Sequence, residues 1–175
     1  MGITKEYIPE KLIIGILTVE KKLPDPLIQR VVKNFGSIER IDGPYPFTYT
    51  QYYNEEMGED IQKFFLTFEK LVSPDCLAEI KEFTNLVEDE WSSGNKRSIN
   101  LDPGILSETR FILATTKDRG HRVPLKNGMY AEVTLIYMHK EFQPLPWTYA
   151  DFCDPKYRIL LKEIRKSYLQ QIKQK

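Results

Sequence analysis

The chain has 175 residues, of which 41% are hydrophobic and 29% charged, and its 25 basic residues balance 25 acidic ones. This length favours a single domain, residues 1–175, and zero net charge argues against a protein that binds nucleic acid through its overall charge. Cys76 and Cys153 are too few for a zinc knuckle or a disulfide framework. With no signal-peptide core or membrane-length apolar run, we expect a cytoplasmic protein with no membrane partner.

The first part of the chain predicts a strand, a helix and two more strands. Residues 11–19 are an apolar run typical of a buried strand, and residues 25–36 have the Pro near the start and the Gly at the end that bound a helix. The segments SIERI (37–41) and FTYTQYY (47–53) are rich in β-branched and aromatic residues and predict strands separated by a turn.

A similar strand and helix follow. Residues 61–71 alternate apolar and polar positions, and residues 73–91 carry an apolar stripe at helical spacing. The end of this strand, LTFEK (66–70), resembles LTVEK (17–21), and each is followed by Pro-Asp and a helix. A duplicated strand–helix–strand unit would explain the repetition, and so would chance similarity between two strand-to-helix junctions.

Three strands and a closing helix are predicted in the last part of the chain. The strands are residues 97–101, 110–117 and 129–138, and the helix begins at Asp154. The connections are short and contain turn residues, above all Asp102-Pro103-Gly104, which favours antiparallel neighbours. We therefore predict an α+β fold, with a largely antiparallel sheet and helices packed on one face.

Several common reaction classes have no motif in this sequence. There is no Gly-x-x-x-x-Gly-Lys-Ser/Thr loop and no Gly-x-Gly-x-x-Gly after the first strand, which argues against Walker-type NTPases and Rossmann dinucleotide binding. The two histidines lack metal-ligand spacing, and there is no Gly-x-Ser-x-Gly elbow. No established catalytic motif therefore identifies a reaction.

A group of polar residues on the late strands is the candidate site. Its members are Arg97, Asn100, Asp102, Lys117, His121, Arg122 and Glu132. Asn100 and Asp102 are two residues apart and point the same way from a strand, and a carboxylate in the middle of YAEVTL needs water or a cation. One interpretation is structural: Glu132 forms a cross-strand salt bridge, and Asn100 and Asp102 stabilise a turn.

The other interpretation is functional. We expect four of these residues to bind a small phosphorylated or nucleotide-like anion, namely Arg97, Asn100, Lys117 and Arg122. The remaining three, Asp102, His121 and Glu132, would be catalytic, with His121 the acid–base group because imidazole titrates near neutral pH. Magnesium could bind Asn100, Asp102 and Glu132, since hard cations accept oxygen ligands.

A non-catalytic RNA- or protein-binding module is the alternative function. The aromatic residues of the Tyr-rich strand could stack bases, although no RNP-like motif surrounds them: Tyr45, Phe47, Tyr49, Tyr52 and Tyr53. The closing helix carries several cations, which also suit a solvated helix face: Lys156, Arg158, Lys162, Arg165, Lys166, Lys173 and Lys175.

The same late segment resembles a known family. The motifs are RSINLDPG (97–104), ATTK (114–117), HR (121–122), YAEVTL (130–135) and PWTY (146–149). They are similar to those of uncharacterised bacterial and archaeal proteins classed as a domain of unknown function, and the resemblance covers most of the chain. Some members carry a GTP-binding label, but the residues of this chain do not support it. The nearest match to a guanine-reading Asn-Lys-x-Asp is TTKD (115–118), which lacks the Asn and the spacing, and Ile105 stands where members have Tyr.

Overall fold

The structure is a computed structural model that describes residues 2–94 and 96–174. Its strands are β1 (Lys11–Thr18), β2 (Ile38–Pro46), β3 (Gln62–Phe68), β4 (Ser92–Ser93), β5 (Lys96–Arg97), β6 (Ile99–Leu106), β7 (Arg110–Thr115), β8 (Val123–Pro124), β9 (Tyr130–Met138) and β10 (Glu141–Pro144). Its helices are α1 (Asp25–Phe35), α2 (Asn54–Met57), α3 (Leu77–Glu90), α4 (Ala150–Cys153) and α5 (Pro155–Lys173). A 3₁₀ turn, Pro74–Cys76, precedes α3.

The main sheet has the order β10-β9-β7-β6-β1-β3-β2, with β8 added beside β9. Every strand pair formed by its described residues is antiparallel. The predicted α+β class with a largely antiparallel sheet is therefore confirmed. Strands β6-β1-β3-β2, with α1 and α3, have the order of a split βαβ, or ferredoxin-like, unit. Both predicted strand–helix–strand units are present within it.

Helices cover both faces of this sheet rather than the single face expected. Leu12, Ile14 and Ile16 of β1 pack with α1 and α3 on what we call the α3 face, whereas Ile13 packs with α5 on the α5 face. Each residue of β1 is buried. Burying such a side chain stabilises the fold by about 1.5–3 kcal/mol, so an apolar strand of this kind requires cover on both sides. Helix α5 supplies the second cover.

Asp102-Pro103-Gly104 lies inside β6, so the predicted turn at this position is wrong. The chain turns later, where the Ser107 N–H donates to the Arg110 carbonyl (2.9 Å). Gly104 serves a different purpose, because a Cβ there would lie 2.7 Å from the Ile112 carbonyl oxygen. Glycine thus permits a close approach of β6 to β7 at this position.

Strands β6 and β7 separate on one side of this close approach. They pair only where Gly104–Leu106 faces Phe111–Leu113, although β6 begins at Ile99 and β7 continues to Thr115. Pro103, with no N–H to donate, adjoins the last paired residue. We call the opening between Ile99–Pro103 and Ala114–Thr115 the fork.

The Tyr-rich segment 47–53 is a loop and not the predicted strand. Strand β2 continues through Gly43 and ends at Pro46, and the chain then forms turns until α2. Phe47 packs edge-on against Tyr49 and Tyr53, with ring centroids 5.5 and 6.1 Å apart. These rings therefore pack on one another instead of alternating across a sheet.

Among the described residues, no helix combines the length and the apolar character that a membrane crossing requires.

Candidate functional site

A cavity of about 550 Å³ lies at the fork, and we call it the fork cavity. Its floor includes Asn100 and Asp102 of β6, which face Leu17 and Gly15 of β1 in the strand register. Residues of α3, among them Lys81, also line it, because the separated strands leave room for their side chains to approach from the α3 face. The volume lies within the range of small-molecule sites.

The wall of the cavity is largely aromatic. Loop 47–53 forms one part of it and residues 149–152 form another. The rings are Phe47, Tyr49, Tyr52, Tyr53, Tyr149 and Phe152. The Tyr49 hydroxyl donates to Asp154 Oδ2 (2.5 Å), a hydrogen bond that joins the loop to the N-cap of α5. Planar ligand groups could stack on such rings.

Asp102 is the predicted catalytic residue that is most open to this cavity. Asn100 Nδ2 donates to Asp102 Oδ2 (2.7 Å), and Lys81 Nζ lies 3.7 Å from Oδ1. The Asp102 side chain is 38% exposed. Burial, together with the Asp102 charge, raises the pKa of the nearby Tyr53 phenol above its ordinary value of 10.0. Asp102 can therefore accept hydrogen bonds from a ligand beside a protonated phenol.

Glu132 also lines the cavity, but its carboxylate is already occupied. Arg122 Nε donates to Glu132 Oε2 (2.8 Å), and His121 Nε2 lies 3.0 Å from the same oxygen. The Glu132 side chain is 1% exposed and that of Arg122 is 5% exposed. The salt bridge expected by the structural interpretation is thus present, although it is buried rather than on a solvated face.

Arg122 connects this salt bridge to two residues that line the cavity. Its guanidinium also donates to the Lys117 carbonyl (2.7 Å) and to the Tyr149 hydroxyl (2.8 Å). Neither Arg122 nor His121 is among the lining residues, and the His121 ring stacks on Trp147 with centroids 5.0 Å apart. In this geometry Arg122 holds the cavity wall, and His121 contacts Glu132 rather than the cavity.

Arg97 lies at the edge of the cavity with its charge paired. It donates to Glu88 Oε2 (2.6 Å) and to Glu56 Oε2 (3.0 Å). The second oxygen of Glu88 accepts from the Leu101 N–H (2.8 Å). Burial nevertheless raises the pKa of the Glu88 carboxyl above its ordinary value. This network ties α2 and α3 to the first residues of β6.

Lys117 differs from the other cations that line the cavity. Its Nζ lies 4.6 Å from the centroid of the Tyr52 ring and 3.5 Å from the Tyr52 hydroxyl. Within the part of the chain that the structure describes, no carboxylate pairs with Lys117, whose side chain is exposed. It can therefore bind an incoming anion without first losing an ion pair.

Sequence reasoning missed a second buried ion pair at this site. Lys63 of β3 donates to Asp151 of α4, and Lys63 Nζ lies 4.4 Å from the centroid of the Phe152 ring. The strand pattern contained a signal, because Lys63 and Phe65 share a face of QKFFLTF. Its partner lies 88 residues away and could not be read from that pattern.

The three residues considered for magnesium do not form a ready ligand set. Asn100 directs its amide nitrogen to Asp102, and Glu132 Oε2 is engaged by Arg122 and His121. Across residues 2–94 and 96–174, no group of three or more His, Cys, Asp or Glu side chains is arranged to hold a metal ion.

The structure removes one of the two features that suggested an RNA- or protein-binding module. The Tyr-rich segment is a loop whose rings line the fork cavity, and it offers no strand platform for bases. The basic residues from Lys156 to Lys173 do lie on α5, whereas Lys175 is outside the described residues. Binding of RNA or protein through α5 stays a prediction.

Comparison with known proteins gives a family but no activity. The family model described as a domain of unknown function, DUF4416, matches residues 8–168. No curated protein and no solved structure matches the chain. The match spans far more than half of the sequence and includes each predicted site residue. The chain therefore belongs to the family described as a domain of unknown function (DUF4416).

Proposed function

We propose that the protein binds a small phosphorylated, nucleotide-like ligand in the fork cavity. The observation that carries the proposal is the position of Lys117, a cation without a carboxylate partner among the described residues, beside an aromatic wall. Nucleotide-like ligands combine a planar ring, which stacks on aromatic side chains, with an anionic group, which binds a cation.

The charges around the cavity support Lys117 as the anion site. Lys63 pairs with Asp151, Lys81 lies near Glu88 and Asp102, and Arg97 pairs with Glu88 and Glu56. An anion at any of these three cations would face a competing carboxylate, which reduces its binding energy. At Lys117 the ammonium is accessible, and the Tyr52 ring stabilises its position.

Asp102 supplies the complementary acceptor. Its carboxylate faces the cavity, whereas the Glu132 carboxylate is buried and bound by Arg122 and His121. If the bound ligand is also transformed, Asp102 is the predicted catalytic group positioned to accept its proton. Binding is the function that this geometry supports most directly.

Thermal-shift screening with nucleotides, sugar phosphates and inorganic phosphate tests the proposal. Specific binding to the folded protein raises its Tm, and calorimetric titration then measures Kd for the best ligand. Magnesium is included in one arm and omitted from the other. Failure of every phosphorylated compound to bind would remove the proposal.

A lysine variant tests where the anion binds. Lys117→Ala should weaken binding by roughly tenfold, as expected for one lost charge-assisted contact of about 1.4 kcal/mol. Lys33→Ala is the matched control, because Lys33 is exposed in α1, which packs on the α3 face. Equal weakening by both variants would show a general charge effect and contradict the assignment of the site.

A further inference from the structure

The functional groups of the fork cavity follow a fixed order across the sheet. Strands β3, β1, β6 and β7 are neighbours in that order. Phe65 of β3 and Asp102 of β6 both face Gly15 of β1 in the strand register. Two strand spacings, about 10 Å, thus separate β3 from Asp102. The cavity-lining rings on the β3 side are Phe47 and Phe152, which flank the Lys63 ammonium. Lys117 lies beyond the end of β7, on the opposite side of Asp102.

The Lys63 side chain covers the floor between these rings and Asp102. Gly15 beneath it is buried, and the place where its Cβ would stand lies 3.6 Å from Lys63 Cε and 3.8 Å from the Phe65 ring. At the β3 end, Phe47 and Phe152 surround the Lys63 ammonium at 5.6 and 4.4 Å from their ring centroids. A ligand that reaches from these rings to Asp102 therefore passes over the Lys63 side chain, which lines the cavity together with Asp102.

Asp102 is held in place with acceptor capacity remaining. Asn100 fixes one carboxylate oxygen through a 2.7 Å hydrogen bond. Lys81 Nζ donates instead to the Leu101 carbonyl (2.8 Å) and stays 3.7 Å from the other carboxylate oxygen. An ionised carboxylate has about four acceptor positions and no donor, so a ligand group bound here must donate.

We propose that the ligand is a ribonucleotide whose ribose hydroxyls donate to the Asp102 carboxylate. This inference rests on the proposed function. The base then lies towards the rings at β3 and the phosphate towards Lys117, because the sugar is the middle part of a nucleotide, as Asp102 is the middle group of the cavity. A carboxylate that binds ribose hydroxyls is a known solution in other nucleotide sites.

Matched pairs of nucleotides test this inference. Each ribonucleotide is compared with the 2′-deoxyribonucleotide of the same base and phosphate number, by calorimetric titration of the intact protein. The ribonucleotide should bind about tenfold more tightly, since one hydrogen bond to a charged acceptor is lost in the deoxy compound. Asp102→Asn should reduce this ratio towards one.

The control variant is Asp89→Asn, which removes one exposed carboxylate from α3. It should retain the tenfold ratio, and circular dichroism checks that both variants are folded. Phosphorylated ligands that bind with equal affinity in ribo and deoxy forms would overturn the inference and leave the proposed function standing. A change in base preference, rather than sugar preference, in Asp102→Asn would overturn it by placing Asp102 at the base. Absence of any nucleotide binding would overturn both.

Discussion

Replacing Glu132 by Leu should strongly destabilise the protein, because the substitution leaves the Arg122 charge buried without its carboxylate. The two side chains are 1% and 5% exposed, and their closest N···O distance is 2.8 Å. Removing one partner of a buried ion pair costs about 3–5 kcal/mol. Arg122 keeps its hydrogen bonds to the Lys117 carbonyl and the Tyr149 hydroxyl, so we expect the lower value, about 3 kcal/mol.

A double-mutant cycle isolates the contribution of the pair. Arg122→Met should destabilise by a similar amount, because Glu132 loses its nearest cation. The double variant Glu132→Leu/Arg122→Met carries neither charge, so its loss should be smaller than the sum of the two single losses by about 2 kcal/mol. Equilibrium urea unfolding measures these differences, with Trp fluorescence and circular dichroism compared to check two-state behaviour.

The exposed pair Arg30–Glu90 is the control for this cycle. Its closest N···O distance is also 2.8 Å, but both side chains face solvent, where ion pairs contribute little. The coupling between Glu132 and Arg122 should exceed the coupling between Arg30 and Glu90. Equal couplings would refute the conclusion that Arg122 is a buried anchor of the cavity wall.

Two further predictions concern Gly104, where β6 approaches β7, and Glu88, which binds Arg97. Gly104→Ala should destabilise by about 1–3 kcal/mol in urea unfolding, because its Cβ would lie 2.7 Å from the Ile112 carbonyl oxygen and force β6 and β7 apart. Gly120→Ala meets no atom within 4 Å and should change stability little; an equal loss in both would contradict the close-approach argument. Burial raises the pKa of Glu88 above its ordinary 4.5, so the folded state holds this proton more tightly than the unfolded state. The stabilisation from this proton is greatest below pH 4.5 and is lost as pH rises through the raised pKa, so wild-type stability relative to Glu88→Gln should fall across that window. Urea unfolding measures the free energy of unfolding of both proteins at each pH. If the wild-type value minus the Glu88→Gln value increases as pH rises, the prediction is contradicted.

Local patterns in the sequence were sufficient for much of the secondary structure. The predicted helices at 25–36 and 73–91 correspond to α1 and α3, and the predicted strand at 129–138 corresponds to β9. Helical spacing and strand alternation depend on neighbouring residues, so they can be read directly. The same patterns mislocated the turn at Gly104, because glycine suits both a turn and the close approach of two strands.

Polar spacing likewise predicted which residues share a face of a strand but not which of them keep an unoccupied polar group. Asn100 and Asp102 share the cavity floor as their spacing predicts. Glu132 and Asp102 looked equivalent in sequence. In the structure the Glu132 carboxylate is bound by Arg122 and His121, whereas the Asp102 carboxylate is open to the cavity. Burial and partner choice depend on residues from other strands, which a single strand pattern does not contain.

The sequence by itself determined the α+β class, the antiparallel late strands and the shared face of Asn100 and Asp102. Only the tertiary structure decided that β6 and β7 separate, that the Tyr-rich loop closes over the gap, and that Lys63 meets Asp151 there. The physical reason is range: residue type and spacing set which face a side chain occupies, whereas a cavity depends on strand pairing between residues far apart in the chain.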